Sequence, residues 1–174
     1  MREVGARVNL QPMGTQNHGK TLAVVAALLL ALGLYTNSWW TMDLLGMDID
    51  IGAFEAEVCA PNGECESESF SEIMKSDEMG FFDSVKLRLT QWGGLLALGL
   101  LVIFIVGGAG MRGLMATLYV PTAAVAGLFG WLFYRIFSTS EIGAAGGMGY
   151  SFIFFEVGLV LGLVAVMQAF KSRA

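Results

Sequence analysis

The chain has 174 residues, of which 55% are hydrophobic and only 14% charged, with two cysteines, one histidine and a formal net charge of −5. With so much of it apolar and its longest polar connection about 50 residues, a large soluble core is excluded, and one compact bundle is the natural unit. The acidic balance excludes a nucleic-acid-binding module.

Residues 1–20 are polar, include Gly5, Pro12, Gly14 and Gly19, and show no hydrophobic period. They read as a mobile cytoplasmic tail in which His18 is an ordinary solvated side chain. Four stretches then stand out. Residues 21–42, 89–111 and 113–134 contain no charged residue, and residues 148–170 contain only Glu156. A helix needs about 20 apolar residues to cross the hydrocarbon of a bilayer, so each qualifies. The first run is too long for a signal-peptide core and lacks a small-residue cleavage site after it, so it is expected to stay as a span. The expected organisation is a tail 1–20, a transmembrane domain 21–170 that includes an acidic loop 41–90, and a short tail 171–174.

Charge sets the expected orientation. The segment 41–90 holds twelve acids against Lys75, Lys86 and Arg88, a balance of −9, so the remainder of the chain sums to +4. Arg2, Arg7 and Lys20 precede the first span, Arg112 lies between the second and third, and Lys171 and Arg173 follow the fourth. Basic residues in short flanks stay cytoplasmic. Both termini are therefore expected inside and the acidic loop outside a plasma or bacterial inner membrane, with Arg135 as the one dissenter.

Within the first span Trp39 and Trp40, and at the start of the second Trp92, suit the headgroup boundary, where an indole is half buried and half wet. In the loop, residues 47–59 alternate polar and apolar with Ile49, Ile51 and Val58 among β-formers. That predicts a strand pair turning near Gly52 or Pro61-Asn62-Gly63. Residues 69–89 read as a short helix on the membrane face. Cys59 and Cys65, with five residues between them, sit in the compartment placed outside, where a disulfide persists; the alternative is two unpaired thiols. Zinc is not expected, because two ligands are too few and His18 is in the opposite compartment.

Small residues recur along the spans: Ala23, Ala27 and Ala31; Gly93 and Ala97; Ala123, Ala126, Gly127 and Gly130; Gly158 and Gly162. Such rows let helix backbones approach closely in lipid, and bundle packing is the reading preferred here over homodimerisation. The Gly-rich connection 138–147 makes the last two helices antiparallel neighbours. The predicted fold class is thus an all-α membrane protein, a four-helix bundle with a small disulfide-bonded extracytoplasmic sheet between its first two helices.

Glu156 is the residue that packing alone does not explain. An ionised carboxylate within a span is expensive and usually has a partner or a role. At 100° per residue Glu156 projects about 200° from Gly158, which places it on a bulkier face with Phe152, Val160 and Leu163. If the small stripe packs into the bundle, this face points outward to a partner. The alternatives are an inward carboxylate bonded to a hydroxyl or to Arg135, and a proton relay, which lacks a second intramembrane acid. Asp48 and Asp50 alternate, as do Glu64, Glu66 and Glu68, but neither set has the ligand spacing of an EF-hand, so a solvated acidic loop able to gather cations is the default. No nucleophile–base pair, metal cluster or phosphate loop is present, residues 107–110 read as a tight turn, and one cysteine pair does not make a thiol oxidoreductase.

Taken together, four spans, both ends inside, a long first outer loop with a tryptophan and a cysteine pair, and a short second loop resemble the claudin, peripheral-myelin-protein and calcium-channel gamma-subunit superfamily. Glu141-Ile142-Gly143-Ala144-Ala145 followed by Gly149-Tyr150 is similar to the claudin entry into the last helix. Ser151-Phe152-Ile153 with Glu156, Gly158 and the run 163–167 is similar to the gamma subunits that accompany glutamate receptors, and Arg88 and Arg135 fall where claudin-like proteins often keep an arginine. The Gly-Leu-Trp loop signature is replaced by Phe54-Glu55-Ala56-Glu57-Val58, and the tail has no PDZ-binding ending. The resemblance therefore implies the fold rather than a tight junction. The expected function is a non-enzymatic accessory subunit, without cofactor, embedded in the bilayer and bound to a larger membrane protein complex through Glu156, Phe152, Val160 and Leu163. The alternatives are a claudin-like contact protein that acts as a homo-oligomer, and a small transporter or channel.

Overall fold

The structure, a computed structural model, describes residues 14–73, 81–139 and 146–171. Its elements are α1 (Gly14–Tyr35), β1 (Trp40–Leu44), β2 (Met47–Ile51), β3 (Glu55–Cys59), β4 (Cys65–Ser69), a single turn α2 (Phe70–Ile73), α3 (Phe81–Val106), α4 (Ala109–Thr139), β5 (Gly146–Met148) and α5 (Tyr150–Lys171). Four helices contain windows long and apolar enough to cross a membrane: His18–Tyr35, Val85–Val106, Gly110–Arg135 and Tyr150–Gln168.

The ends of these helices differ from the apolar runs. α1 already begins at Gly14, inside the segment read as a tail, and stops at Tyr35. Thr36-Asn37-Ser38 ends it: the Thr36 amide makes the last helical bond, 3.1 Å to the Leu32 carbonyl, and Asn and Ser side chains compete with helical backbone bonds. Trp39 then gives its amide to the Ile51 carbonyl (2.7 Å) and its carbonyl to the Gly149 amide (2.9 Å), so the chain has entered the sheet. α4 carries Pro121 in its interior, which leaves the Thr117 carbonyl without its usual helical donor.

Helix contact rests on missing side chains, as the small-residue rows imply. The most extensive pairings are α1 with α5 and α3 with α4. A methyl group on Gly158 would come within 2.8 Å of the Leu30 amide nitrogen, and one on Gly93 within 3.1 Å of Ala126 Cβ. In α1 the inward row is Ala23, Ala26, Leu30 and Gly33 rather than Ala23, Ala27 and Ala31. The helix meets both α5 and α3, so its buried stripe follows 3- and 4-residue steps in turn. α4 and α5 do touch, but the most extensive contact of α5 is with α1.

The sheet has five antiparallel strands in the order β4-β3-β2-β1-β5. The predicted alternation over residues 47–59 is realised as β2 and β3, and both predicted turns occur. Cys59 and Cys65 are register partners and form a disulfide with a Cα separation of 4.0 Å. Three strands were not expected. β1 lies in the apolar run around Trp40, and β4 reads Cys-Glu-Ser-Glu-Ser, which has little intrinsic β preference. β5 is Gly-Gly-Met, a strand only because β1 offers it an edge. Of the helix expected over 69–89, α2 and the first turns of α3 are present, and residues 74–80 lie outside those described.

In antiparallel pairs directly opposite residues share a face, so the register sorts the sheet cleanly. One face carries Trp40, Met42, Ile51 and Ala56; the first three are 4%, 7% and 7% exposed. It continues the bundle core through Trp40 against Tyr134. The other face carries Thr41, Asp43, Asp48, Asp50, Glu57 and the disulfide. Gln91 of α3 ties the β2–β3 turn down by donating to the Ala53 carbonyl at 2.6 Å.

Candidate functional site

Three of the residues singled out from sequence are tryptophans, and the structure separates them. Trp92 is 69% exposed, as a boundary anchor requires, but Trp39 and Trp40 are buried. Trp39 is enclosed by Phe133, Phe152 and Phe155, with ring centroids 4.9 to 6.0 Å away, and donates its indole N–H to the Gly33 carbonyl. It joins sheet to bundle. No signal in the sequence separates a tryptophan at a membrane boundary from one beneath a sheet, because both stand at the edge of an apolar run.

The surface formed by Phe152, Glu156, Val160 and Leu163 is not one outward face. Phe152 is 2% exposed and stacks on Tyr134 of α4. Glu156 also points toward α4: a methyl group on Gly127 would lie 3.4 Å from its Oε2, and one on Gly130 3.1 Å from its Oε1. Leu163 is half-buried against the core, and only Val160, at 56% exposure, faces outward. The physical reason is that α5 meets helices on two sides. Gly158 takes α1, and the side carrying Phe152, Glu156 and Gly162 takes α4, whose Gly127 and Gly130 leave room for a carboxyl group. Both glycines stand where helices meet, and so do Gly158 and Gly162. Gly162 makes room for Tyr119 of α4, whose hydroxyl donates to the Leu159 carbonyl at 3.3 Å. Tyr119 had no sequence signal, since its notch belongs to another helix.

Glu156 Oε1 is buried and has no hydrogen-bond partner among the described residues. A buried polar group left unsatisfied costs about 1–3 kcal/mol. Glu156→Leu, close in volume, is therefore expected to raise the melting temperature of the isolated protein, whereas Glu156→Gln, equally polar, is not. Thermal unfolding of both variants in mild detergent checks this. A lower melting temperature for Glu156→Leu would mean that the carboxyl group is satisfied after all.

At the sheet, the polar face concentrates charge. Asp43 stands opposite Asp48 and Asp50 opposite Glu57, while Glu55 is two residues from Glu57 on the same face. The segment 36–73 contains no Lys, Arg or His to balance them. Burial pushes the Asp50 carboxyl above its usual range, and the neighbouring Glu57 and Asp48 charges push in the same direction. The Asn37 amide donates a hydrogen bond to Glu55. Among the described residues Glu57, Cys59 and Cys65 bring candidate metal-ligand atoms within 4.8 Å of one another, but both sulfurs are spent in the disulfide.

The hairpin joining β1 to β2 turns through Leu45 and Gly46, both at positive φ, 57° and 80°. Leu45 is 91% exposed. Neither a protein-family model nor a curated protein sequence matches the chain.

Proposed function

We propose that the protein is a non-enzymatic accessory subunit of a larger membrane protein complex, built on the claudin and gamma-subunit architecture. In this reading both termini are cytoplasmic and the sheet lies outside a cell membrane. Four candidate spans, an antiparallel sheet with four of its five strands between the first two, and its disulfide support the architecture. Contact with the partner is made by the hairpin tip rather than by the face around Glu156, which α4 already covers.

Leu45 is the observation that carries this reading. A two-residue hairpin turn with both φ values positive favours Asn-Gly. A non-glycine residue in the left-handed region costs about 1–2 kcal/mol, and Asn pays less of it than Leu. Leu45 thus combines an unfavourable backbone with an apolar side chain in water. The turn is held by the Gly46 amide donating to Asp43 at 3.1 Å, but among the described residues nothing covers the Leu45 side chain. An apolar pocket on a partner would cover it, contributing about 1.5–3 kcal/mol for a buried leucine. Self-association through the sheet is the weaker reading, because the β4 edge carries Glu66 and Glu68, and charges on an edge strand oppose pairing with a second copy.

The test is Leu45→Asn. The isolated variant should melt at the same temperature as the parent or slightly higher. Recovery of one larger membrane protein in a mild-detergent pull-down, identified by mass spectrometry, should fall about tenfold, the equivalent of 1.4 kcal/mol. Undiminished recovery would remove the hairpin from the interface. Recovery of this chain alone, with and without the substitution, would replace the accessory reading by the self-associating one.

A further inference from the structure

We propose that the cleft between the polar face of the sheet and the start of α5 binds a calcium ion, with Asp50 and Glu57 as its carboxylate ligands. The cleft has a volume of about 600 Å³ and is lined by Thr36, Ser38, Thr41, Asp50, Glu57 and Tyr150 among others. It lies apart from the hairpin tip, and the inference concerns the isolated chain, so it stands or falls without the accessory-subunit reading.

The two carboxylates are neighbours by construction. Asp50 of β2 and Glu57 of β3 are register partners, which sets their Cβ atoms about 5 Å apart on one face. Thr41 of β1 completes the row as the partner of Asp50. Among the described residues neither carboxylate forms a hydrogen bond or an ion pair. The backbone at the start of α5 does not serve them either, since the Ser151 and Gly149 amides are given to the Ser38 and Trp39 carbonyls.

A second, independent observation comes from the opposite wall. Ser38 lines the cleft, is only 4% exposed, and its hydroxyl oxygen is buried with no hydrogen-bond partner among the described residues. Buried hydroxyls are normally satisfied. Here a buried hydroxyl, a threonine hydroxyl and two unpaired carboxylates belong to residues that line the same cleft, and what they have in common is oxygen.

The ligand class follows from that donor set. Oxygen ligands select hard cations, whereas zinc and copper want nitrogen or sulfur. Two carboxylates on adjacent strands, in a space larger than a bare ion, suit calcium, which accepts six to eight oxygens in loose geometry and retains some of its waters. Magnesium demands a tighter octahedron. The mutual repulsion and burial of Asp50 and Glu57 are the costs that a divalent ion would relieve. With so few protein charges, the affinity should fall in the range of extracellular modules, about 10⁻⁴–10⁻³ M.

The experiment is calorimetric titration of the purified full-length chain in mild detergent with calcium chloride alone, at fixed ionic strength. About one saturable site per chain is expected, together with a melting temperature raised by a few degrees in 10 mM calcium. Asp50→Asn and Glu57→Gln should each weaken binding at least tenfold. Both relieve like-charge repulsion, so without calcium they should melt no lower than the parent, which separates lost binding from lost folding. Glu66→Gln, on the opposite face of the sheet, should leave the affinity within twofold. Absence of saturable binding, equal binding by the two cleft variants, or an equal thermal shift from sodium chloride at matched ionic strength would each overturn the proposal. A shift produced by methylammonium and not by calcium would overturn it in favour of an ammonium site.

Discussion

Gly33→Leu should prevent the bundle from assembling, whereas Gly99→Leu, at an equally apolar helical position, should be tolerated. A single methyl group on Gly33 would lie 2.5 Å from the Phe155 amide nitrogen and 2.7 Å from its Cα, and these are backbone atoms that no rotamer change can move. The contact is reciprocal, since Gly158 meets the Leu30 amide one turn deeper. α1 and α5 make the most extensive helix pair in the structure, and in lipid such a pair is held by close packing rather than by exclusion of water. Forcing the backbones apart forfeits that packing along several turns. The loss should be at least about 3 kcal/mol, the upper range for overpacked sites. Around Gly99 nothing lies within 4 Å of an added methyl group, so a leucine there would extend into open space and change stability by no more than about 0.5 kcal/mol. Size-exclusion chromatography and thermal melts of the two variants in the same detergent distinguish them. Equal damage from both would mean that α1 and α5 are not packed in this way.

The same glycines show what the sequence discloses and what it withholds. Four apolar runs, the alternation over residues 47–59 and the cysteine pair each report a local requirement: span length, pleat period and a short loop that can be closed. These were legible, and the helices, β2, β3 and the disulfide follow from them. A requirement that belongs to two distant segments leaves no local mark. Gly130 looks like any small residue in an apolar helix, yet its function here is to leave room for Glu156. Helical phasing located Glu156 correctly opposite the small stripe but could not show that α4 would occupy that side. β5 is the extreme case, a Gly-Gly-Met strand whose register is set entirely by Trp40, Thr41 and Met42. The acidic loop was legible as charge only. That Asp50 and Glu57 stand side by side, while Glu66 and Glu68 turn to the other face, required the register of three strands.

Trp39→Ala should be the most damaging truncation at the junction of sheet and bundle, and Trp92→Ala a mild one. Both residues read alike in the sequence, each at the edge of an apolar run. Trp39 is 1% exposed and packs against aromatic rings of α4 and α5. Its indole N–H satisfies the Gly33 carbonyl, and its own amide and carbonyl bond to Ile51 and Gly149. Truncation would remove the ring from a site that cannot collapse, because the sheet above it is fixed by five paired strands and the helices below by glycine contacts. Large-to-small changes of this kind cost about 3–5 kcal/mol. Trp39→Phe separates the terms: it keeps most of the apolar volume but leaves the Gly33 carbonyl without its donor, which should cost about 1–3 kcal/mol. Trp92, 69% exposed, lies outside the core, so its loss should shift the melting temperature in detergent by no more than a degree or two. The order of stability expected is parent and Trp92→Ala together, then Trp39→Phe, then Trp39→Ala. If Trp92→Ala melts below Trp39→Ala, then Trp39 is the boundary anchor that the apolar run first implied, and the sheet does not sit on the bundle through it.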